Sequence, residues 1–212
     1  LHMRFFWGEG MLKRSKIHHE RPDFVLEGKL QEMIKGVTEQ WLLVAPKANP
    51  AMLEMFRDRD ASPLRQLVPW AGEFAGKYLT SAVQVLRVTG DPVLKSWLAE
   101  FVDHLVSLQA GDGYLGPWSG NHHLTNDNAA GDLTWDTWGH YHIMVGLLLW
   151  YETAGDKKAL RSAARIGDLL VKTYLGQKRR RLVDTGSTEM NLAPVHSLCL
   201  LYQATEEESY LQ

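Results

Sequence analysis

Three groups of side chains in this sequence could do chemistry. The first opens the stretch WDTWGHYHIMVGLLLWYETAGD, from Trp135 to Asp156, where Trp135, Asp136, Trp138, His140 and His142 precede a nearly unbroken apolar run. A helix that is apolar nearly all round is a buried helix. These residues would therefore form a polar, aromatic mouth at its N-terminal end, the setting in which a ligand pocket opens. There the His142 imidazole could bind a neutral hydroxyl without changing protonation. Trp135 and Trp138, and also Trp118, could stack on the C–H face of a sugar ring or pack into the core with equal ease. His140, two residues from His142, points elsewhere on a helix and reads as structural.

The second group is carboxylate. Glu73 and Glu189 stand at helix starts, and Asp136 opens the apolar stretch. An acid and a base acting on one glycosidic bond must face each other, about 5–5.5 Å apart for retention or about 6.5–9.5 Å for inversion. Carboxylates at helix starts equally favour the helix dipole, and that reading is preferred here.

The third group lies in a Gly-, Asn- and Asp-rich segment, Ala110 to Leu133, longer than a simple connector. Loops beyond about 12–15 residues are usually functional or disordered. Within it Asp112 and His123 could contact hydroxyls. Tyr114 either joins them or anchors the loop behind an Asp-Gly turn. His122, His123, Asp127 and Asp132 are ligand types for a metal, but adjacent histidines in a loop read more simply as sugar-contacting or solvated. Cys199, in the apolar run SLCLLY, reads as a packing residue. Lys178 to Arg181 is the only basic run and reads as a solvated loop.

These residues must be positioned by helices. With 212 residues and 45% hydrophobic content the chain can bury one sizeable core, and nothing requires two domains. A net charge of -2 gives no electrostatic reason to bind nucleic acid or an anionic membrane. No apolar run approaches the roughly 20 residues of a membrane span. The N-terminus, LHMRFFWGEG, has no signal-peptide pattern, and the single cysteine leaves the compartment undecided. Residues 1–23 read as an extended arm, and residues 24–212 as one helical region.

Periodicity predicts a first helix over Phe24–Val44, ended by Pro46 and Pro50, with a stripe of Leu30, Ile34, Val37, Trp41 and Val44. A short piece at Ala51–Phe56 precedes Arg57-Asp58-Arg59-Asp60, read as a solvated turn. Longer helices follow at Trp70–Val88, Pro92–Gln109, Trp135–Ala154 and Lys157–Tyr174, and a last one at Glu189–Ala204. An internal repeat emerges. YLTSAVQVLRVTGDPVL (Tyr78 to Leu94) and IMVGLLLWYETAGDKKAL (Ile143 to Leu160) share an apolar helix, a small-Gly-Asp turn and a second helix, with a weaker copy near Leu200–Leu211. Such hairpins cannot bury both faces alone and must pack side by side in an arc or ring.

The strings GEFAGKYLTSAVQVLRVTGDPVLKSWLAEFVDHLVSLQAGDGYLG (Gly72 to Gly116) and WDTWGHYHIMVGLLLWYETAGDKKALRSAARIGDLLVKTYLG (Trp135 to Gly176) resemble the β-L-arabinofuranosidases of glycoside hydrolase family 127. The likeness covers roughly Phe24 to Leu211, most specifically Gln109–Gly116 and the His142 helix. It implies an all-α fold, α-hairpin repeats forming about half of an (α/α)6 barrel, and hydrolysis of a terminal furanoside with retention. It also implies a zinc-held cysteine nucleophile, glutamate acid/base chemistry, and a sugar-facing role for His142. In the family the zinc ligands are a glutamate and several cysteines of the later barrel. This chain has one cysteine, so no cofactor is assigned to it, and zinc would require a later Glu and Cys cluster.

The expectation is a glycoside hydrolase-type domain whose His142, Trp135, Trp138, Asp112, Tyr114 and His123 line the carbohydrate site. Its nucleophile would lie elsewhere, and a missing half or a second copy would cover the open edge. Two alternatives remain: a non-catalytic carbohydrate-binding or scaffold protein, and a barrel acting as unsaturated uronyl hydrolase or polysaccharide lyase through Asp136, Glu73 or Glu189.

Overall fold

The computed structural model describes residues 25–176, 181–185 and 189–212. The N-terminal arm, Phe24 and residues 178–180 of the basic run lie outside the described residues. Among the described residues there is no β-strand, only an isolated bridge between Asp127 and Leu133. The described residues hold eight α-helices, in order α1 (Gly28–Val37), α2 (Ala45–Ala48), α3 (Ala51–Arg57), α4 (Glu73–Thr89), α5 (Pro92–Ser107), α6 (Asp136–Ala154), α7 (Lys157–Tyr174) and α8 (Pro194–Thr205).

The repeat seen in sequence is built by one turn used three times. Helix α4 closes on Gly90 at φ 62° and α6 on Gly155 at φ 72°, the left-handed conformation that ends many helices. Asp91 then accepts the amides of Val93 and Leu94, and Asp156 accepts that of Lys158, so each acidic residue caps the next helix. The third copy keeps the plan with poorer residues: Glu206 takes the left-handed position at φ 61°, and Glu207 accepts the Ser209 amide ahead of the 3-10 turn Glu208–Leu211. Replacing Asp91 with alanine removes the cap of α5 and should cost about 1 kcal/mol of stability, read as a lower urea midpoint with unchanged slope.

Helices α4, α6 and α8 run side by side and parallel. Glu73 and Lys77 at the start of α4 meet Trp138 and His142 at the start of α6. At the far end Arg87 of α4 donates to Thr153 Oγ1 and to the Leu149 carbonyl of α6. His196 of α8 lies against Tyr141 of α6. Helix α6 is therefore flanked on several sides, by α4, α7 and α8, as its all-round apolar sequence requires. Its Ile143, Met144 and Leu147 are fully buried beside Leu79 and Ala82 of α4.

The α4–α6 seam is unusually close. A Cβ built on Gly76 would lie 2.2 Å from the His142 carbonyl carbon, and one on Gly139 would lie 3.2 Å from that of Gly72. Glycine at these positions lets the two backbones approach without side chains between them, which sets the distance between the groups at their N-terminal ends.

The first helix departs from the sequence expectation. It is α1 continued by a π-turn, Thr38–Leu42, and Pro46 sits inside the first turn of α2 instead of ending a long helix. Proline is tolerated there because the first amides of a helix have no intrahelical partner. The predicted stripe is not a core stripe: Leu30, Val37, Trp41 and Val44 are exposed, while Thr38 and Leu42 are buried. Tyr78 ties this region down, donating to the Leu42 carbonyl at 2.6 Å and accepting the Trp97 indole at 2.9 Å. The Arg57–Asp60 segment is likewise no solvated turn. Arg59 donates to the carbonyls of Leu108 and Gly116, and Asp60 accepts the Gly120 amide, so the segment staples the long loop after α5.

Candidate functional site

The close seam brings Glu73, Lys77, Trp138 and His142 together at one end of the arc. Glu73 opens α4 and is buried, with Oε1 2.7 Å from Lys77 Nζ one turn on and Oε2 accepting the Trp138 indole N–H. The Lys77 ammonium also stands over the Trp138 ring, 5.5 Å from its centroid, a cation–π contact. Trp138 and His142, one helical turn apart, meet edge to face at 4.3 Å. Tyr141 stacks on Trp138 at 5.4 Å, and its hydroxyl lies 3.3 Å from His196 Nδ1.

Within this cluster His142 Nε2 is buried and has no hydrogen-bond partner. Burial, with Lys77 adding to it and Glu73 opposing, lowers the His142 pKa to about 4. The ring is neutral at pH 7, so each nitrogen can serve as either a donor or an acceptor according to tautomer. A sugar hydroxyl, itself both donor and acceptor, is a natural complement. Because the folded pKa lies below the ordinary 6.5, the unfolded chain binds the extra proton between those values. Stability should therefore fall as pH drops from about 6.5 towards 4, and His142→Gln should flatten that part of the pH–stability profile.

Asp112, Tyr114, His123 and Asp136 form a second group, buried at Tyr114 and Asp136 and open to solvent at Asp112. Tyr114 is fully buried; its hydroxyl donates to Asp136 Oδ1 at 3.0 Å and accepts the Trp118 amide at 3.2 Å. Burial and the Asp136 charge raise its pKa well above the usual value. Asp136 Oδ2 accepts the Leu124 amide at 2.9 Å. His140 donates from Nδ1 to the Asp136 carbonyl and accepts the Leu115 amide on Nε2, the structural role expected of it. His123 stacks on Tyr114 at 3.6 Å with Nδ1 3.0 Å from Asp112, and its Nε2 is buried and unpartnered. Burial pushes the Asp112 carboxyl up, but the His123 and Tyr114 hydrogen bonds outweigh it and hold the pKa low.

This knot holds the loop after α5, and Tyr114 has no surface to offer a sugar. Asp136, with both oxygens engaged in the interior, is no free general base, which removes one candidate of the lyase-type alternative. Glu189 is exposed at the start of the 3-10 turn Glu189–Leu192 and makes no hydrogen bond or ion pair with Glu73 or Asp136. Trp118 is core, and Trp135 is half-buried against Trp70 at 5.4 Å.

Sequence reasoning passed over Lys77, Asn126 and Asn191. Lys77 four residues after Glu73 was readable as a helical ion pair. The two asparagines carried no signal. Both are fully buried and cap α6 from a distance: Asn126 Oδ1 accepts the Thr137 amide at 3.3 Å, and Asn191 Oδ1 accepts that of Trp138 at 3.1 Å.

The residues present do not fit a zinc–cysteine centre. Cys199 is exposed on α8 in an apolar groove with Leu198, Val195 and Leu211, and among the described residues no three His, Cys, Asp or Glu side chains converge as a metal site.

Parallel inner helices, an outer layer, and an aromatic cluster with an unpaired imidazole at the inner helices' N-terminal ends make up part of an all-α hairpin barrel. The sequence profile of the β-L-arabinofuranosidase GH127 catalytic domain matches residues 18–212, and the chain belongs to that family. Among solved structures it is similar to a GH127 β-arabinofuranosidase, with a TM-score of 0.68 and 16% identity over 89% of this chain and 31% of the other. It is also similar to a GH127 β-L-arabinofuranosidase from Geobacillus stearothermophilus T6, with a TM-score of 0.64, 18% identity and the same coverages, 89% and 31%. The chain thus spans about a third of the length of these structures, as part of an (α/α)6 barrel. Comparison with curated proteins gives no match.

Proposed function

We propose that this chain supplies part of the sugar-binding site of a β-L-arabinofuranosidase-type glycoside hydrolase, with the nucleophile outside it. The observation that carries the reading is His142 Nε2: a buried, unpaired polar atom of a neutral ring, flanked by Trp138 and the Glu73–Lys77 pair. Buried polar atoms are nearly always paired, so an orphan at the mouth of an apolar helix marks a missing partner. A furanose hydroxyl on Nε2, with the ring C–H face against Trp138 or Tyr141, meets that need. Asp112 and His123 belong to the rim of the same site through the loop that Tyr114 fixes.

Glu73, charge-paired by Lys77 and held by the Trp138 indole, is a hydrogen-bond acceptor for hydroxyls and orients the indole. Both its oxygens are engaged, by Lys77 and the Trp138 indole, and the two-carboxylate mechanism is not assigned to it. Calorimetric titration with methyl β-L-arabinofuranoside tests the proposal. Binding that weakens about tenfold in His142→Ala, the loss of roughly one good hydrogen bond, supports it. Equal affinity in wild type and variant refutes the site. Robust turnover of an aryl β-L-arabinofuranoside by this chain refutes the placement of the nucleophile elsewhere.

A further inference from the structure

A cleft apart from the His142 cluster lies between residues 64–67 and residues 117–132. Its volume is about 400 Å³, and its lining includes Arg59, Arg65, Gln66, Ser119, His122 and Asp132. Cavities of about 300–1,000 Å³ are the size that holds small ligands.

The charged groups in the lining are spoken for. Arg65 pairs with Asp58 at 2.5 Å and Glu54 at 3.2 Å, and Arg59 donates to the carbonyls of Leu108 and Gly116. Asp132 accepts from Asn128 at 3.2 Å. The groups left over are neutral. Gln66 is exposed, its amide and the Ser119 hydroxyl make no hydrogen bond, and His122 spends only Nδ1, on Asp127. Free amide, hydroxyl and imidazole, beside two arginines and two aspartates whose charges balance across the lining, suit a polyhydroxylated, uncharged ligand. A phosphate or carboxylate would need a free cation.

The two loops that wall the cleft are locked further along by the Trp135 amide, which donates to the Pro69 carbonyl at 2.8 Å. Just there Trp70, 39% exposed, meets Trp135 at 5.4 Å, leaving indole surface open to solvent. Indole faces bind the C–H faces of sugars, and a row of polar groups followed by an aromatic platform matches consecutive residues of a glycan better than a single ring.

We propose that the cleft and the Trp70–Trp135 pair form a separate carbohydrate-binding strip, one that holds the neutral chain of an oligosaccharide beyond its terminal sugar. It deepens the reading given under Proposed function by making the substrate a longer glycan, and it rests on that reading for the identity of the terminal sugar.

The test is calorimetric titration of the chain with L-arabinose and with arabinopentaose, using Trp70→Ala, Gln66→Ala and His142→Ala. The pentaose should bind about tenfold more tightly than the monosaccharide. Trp70→Ala and Gln66→Ala should remove most of that advantage while leaving L-arabinose affinity and the unfolding temperature as in wild type. An affinity independent of chain length, or a pentaose advantage untouched by both substitutions, overturns the strip. His142→Ala separates the two proposals: pentaose binding that survives it but is lost in Trp70→Ala supports the strip even where L-arabinose does not bind at all. Failure of wild type to bind either sugar overturns both.

Discussion

Gly76→Ala should lower stability by about 3 kcal/mol or more, although the same change in an open helix raises it by about 0.8–1.0 kcal/mol. The added Cβ would lie 2.2 Å from the His142 carbonyl carbon, 2.4 Å from the Ile143 nitrogen and 2.5 Å from the His142 carbonyl oxygen. All three are backbone atoms of α6, so no side chain can rotate away, and the two helices must separate. Separation loosens the fully buried Leu79, Ile143 and Leu147, and at Gly139 and Gly72 it opens a seam that is already in contact. It also pulls Trp138 from Glu73. Gly36→Ala in α1, where a Cβ meets nothing within 4 Å, is the control and should be neutral or mildly stabilising. Urea unfolding of both variants reads the contrast. A Gly76→Ala protein as stable as wild type would mean that α4 and α6 do not approach as described.

Asp136→Ala should cost about 3–5 kcal/mol, the range for removing one partner from a buried charged network. The carboxylate is buried and takes hydrogen bonds from the Tyr114 hydroxyl and the Leu124 amide, with His140 Nδ1 3.4 Å from Oδ1. Alanine leaves that hydroxyl and amide without acceptors in a site that excludes water, each at about 1–3 kcal/mol. The damage should be local first: amide hydrogen exchange at Leu124 and Trp118 should accelerate more than at Leu147 in the middle of α6. A variant that loses sugar binding without loss of stability or protection would assign Asp136 to the ligand instead of the loop.

Much of this architecture was legible in the sequence because local rules carried it. The Gly90-Asp91 and Gly155-Asp156 turns announce where helices end and restart, and even the degraded Glu206-Glu207 copy folds the same way. The all-round apolar α6 could only be a central helix. Periodicity failed on α1 for a physical reason: it records which face of a helix is apolar and says nothing of what lies against it. Here Leu30, Val37 and Trp41 face outward while Thr38 is buried with its hydroxyl on the Ile34 carbonyl.

The candidate site was legible in part. His142 and Trp138, four apart on an apolar helix, share one cluster, and Glu73 joins it across the glycine seam. Tyr114 and Asp136 were ambiguous between ligand and scaffold, because residue type does not reveal whether an oxygen is already engaged. Asn126 and Asn191 were invisible because they cap α6 from distant loops, and Arg59 because its acceptors are backbone carbonyls.

The most direct measurement of the sugar site is nitrogen-15 NMR of the side-chain rings during titration with methyl β-L-arabinofuranoside. The expected result is saturable shifts of the His142 imidazole and Trp138 indole nitrogens, with the Trp97 indole of α5, already bonded to the Tyr78 hydroxyl, unmoved. A His142 ring that stays silent while the sugar binds, or shifts spread evenly over all indoles, would contradict a sugar held at the N-terminal ends of α4 and α6.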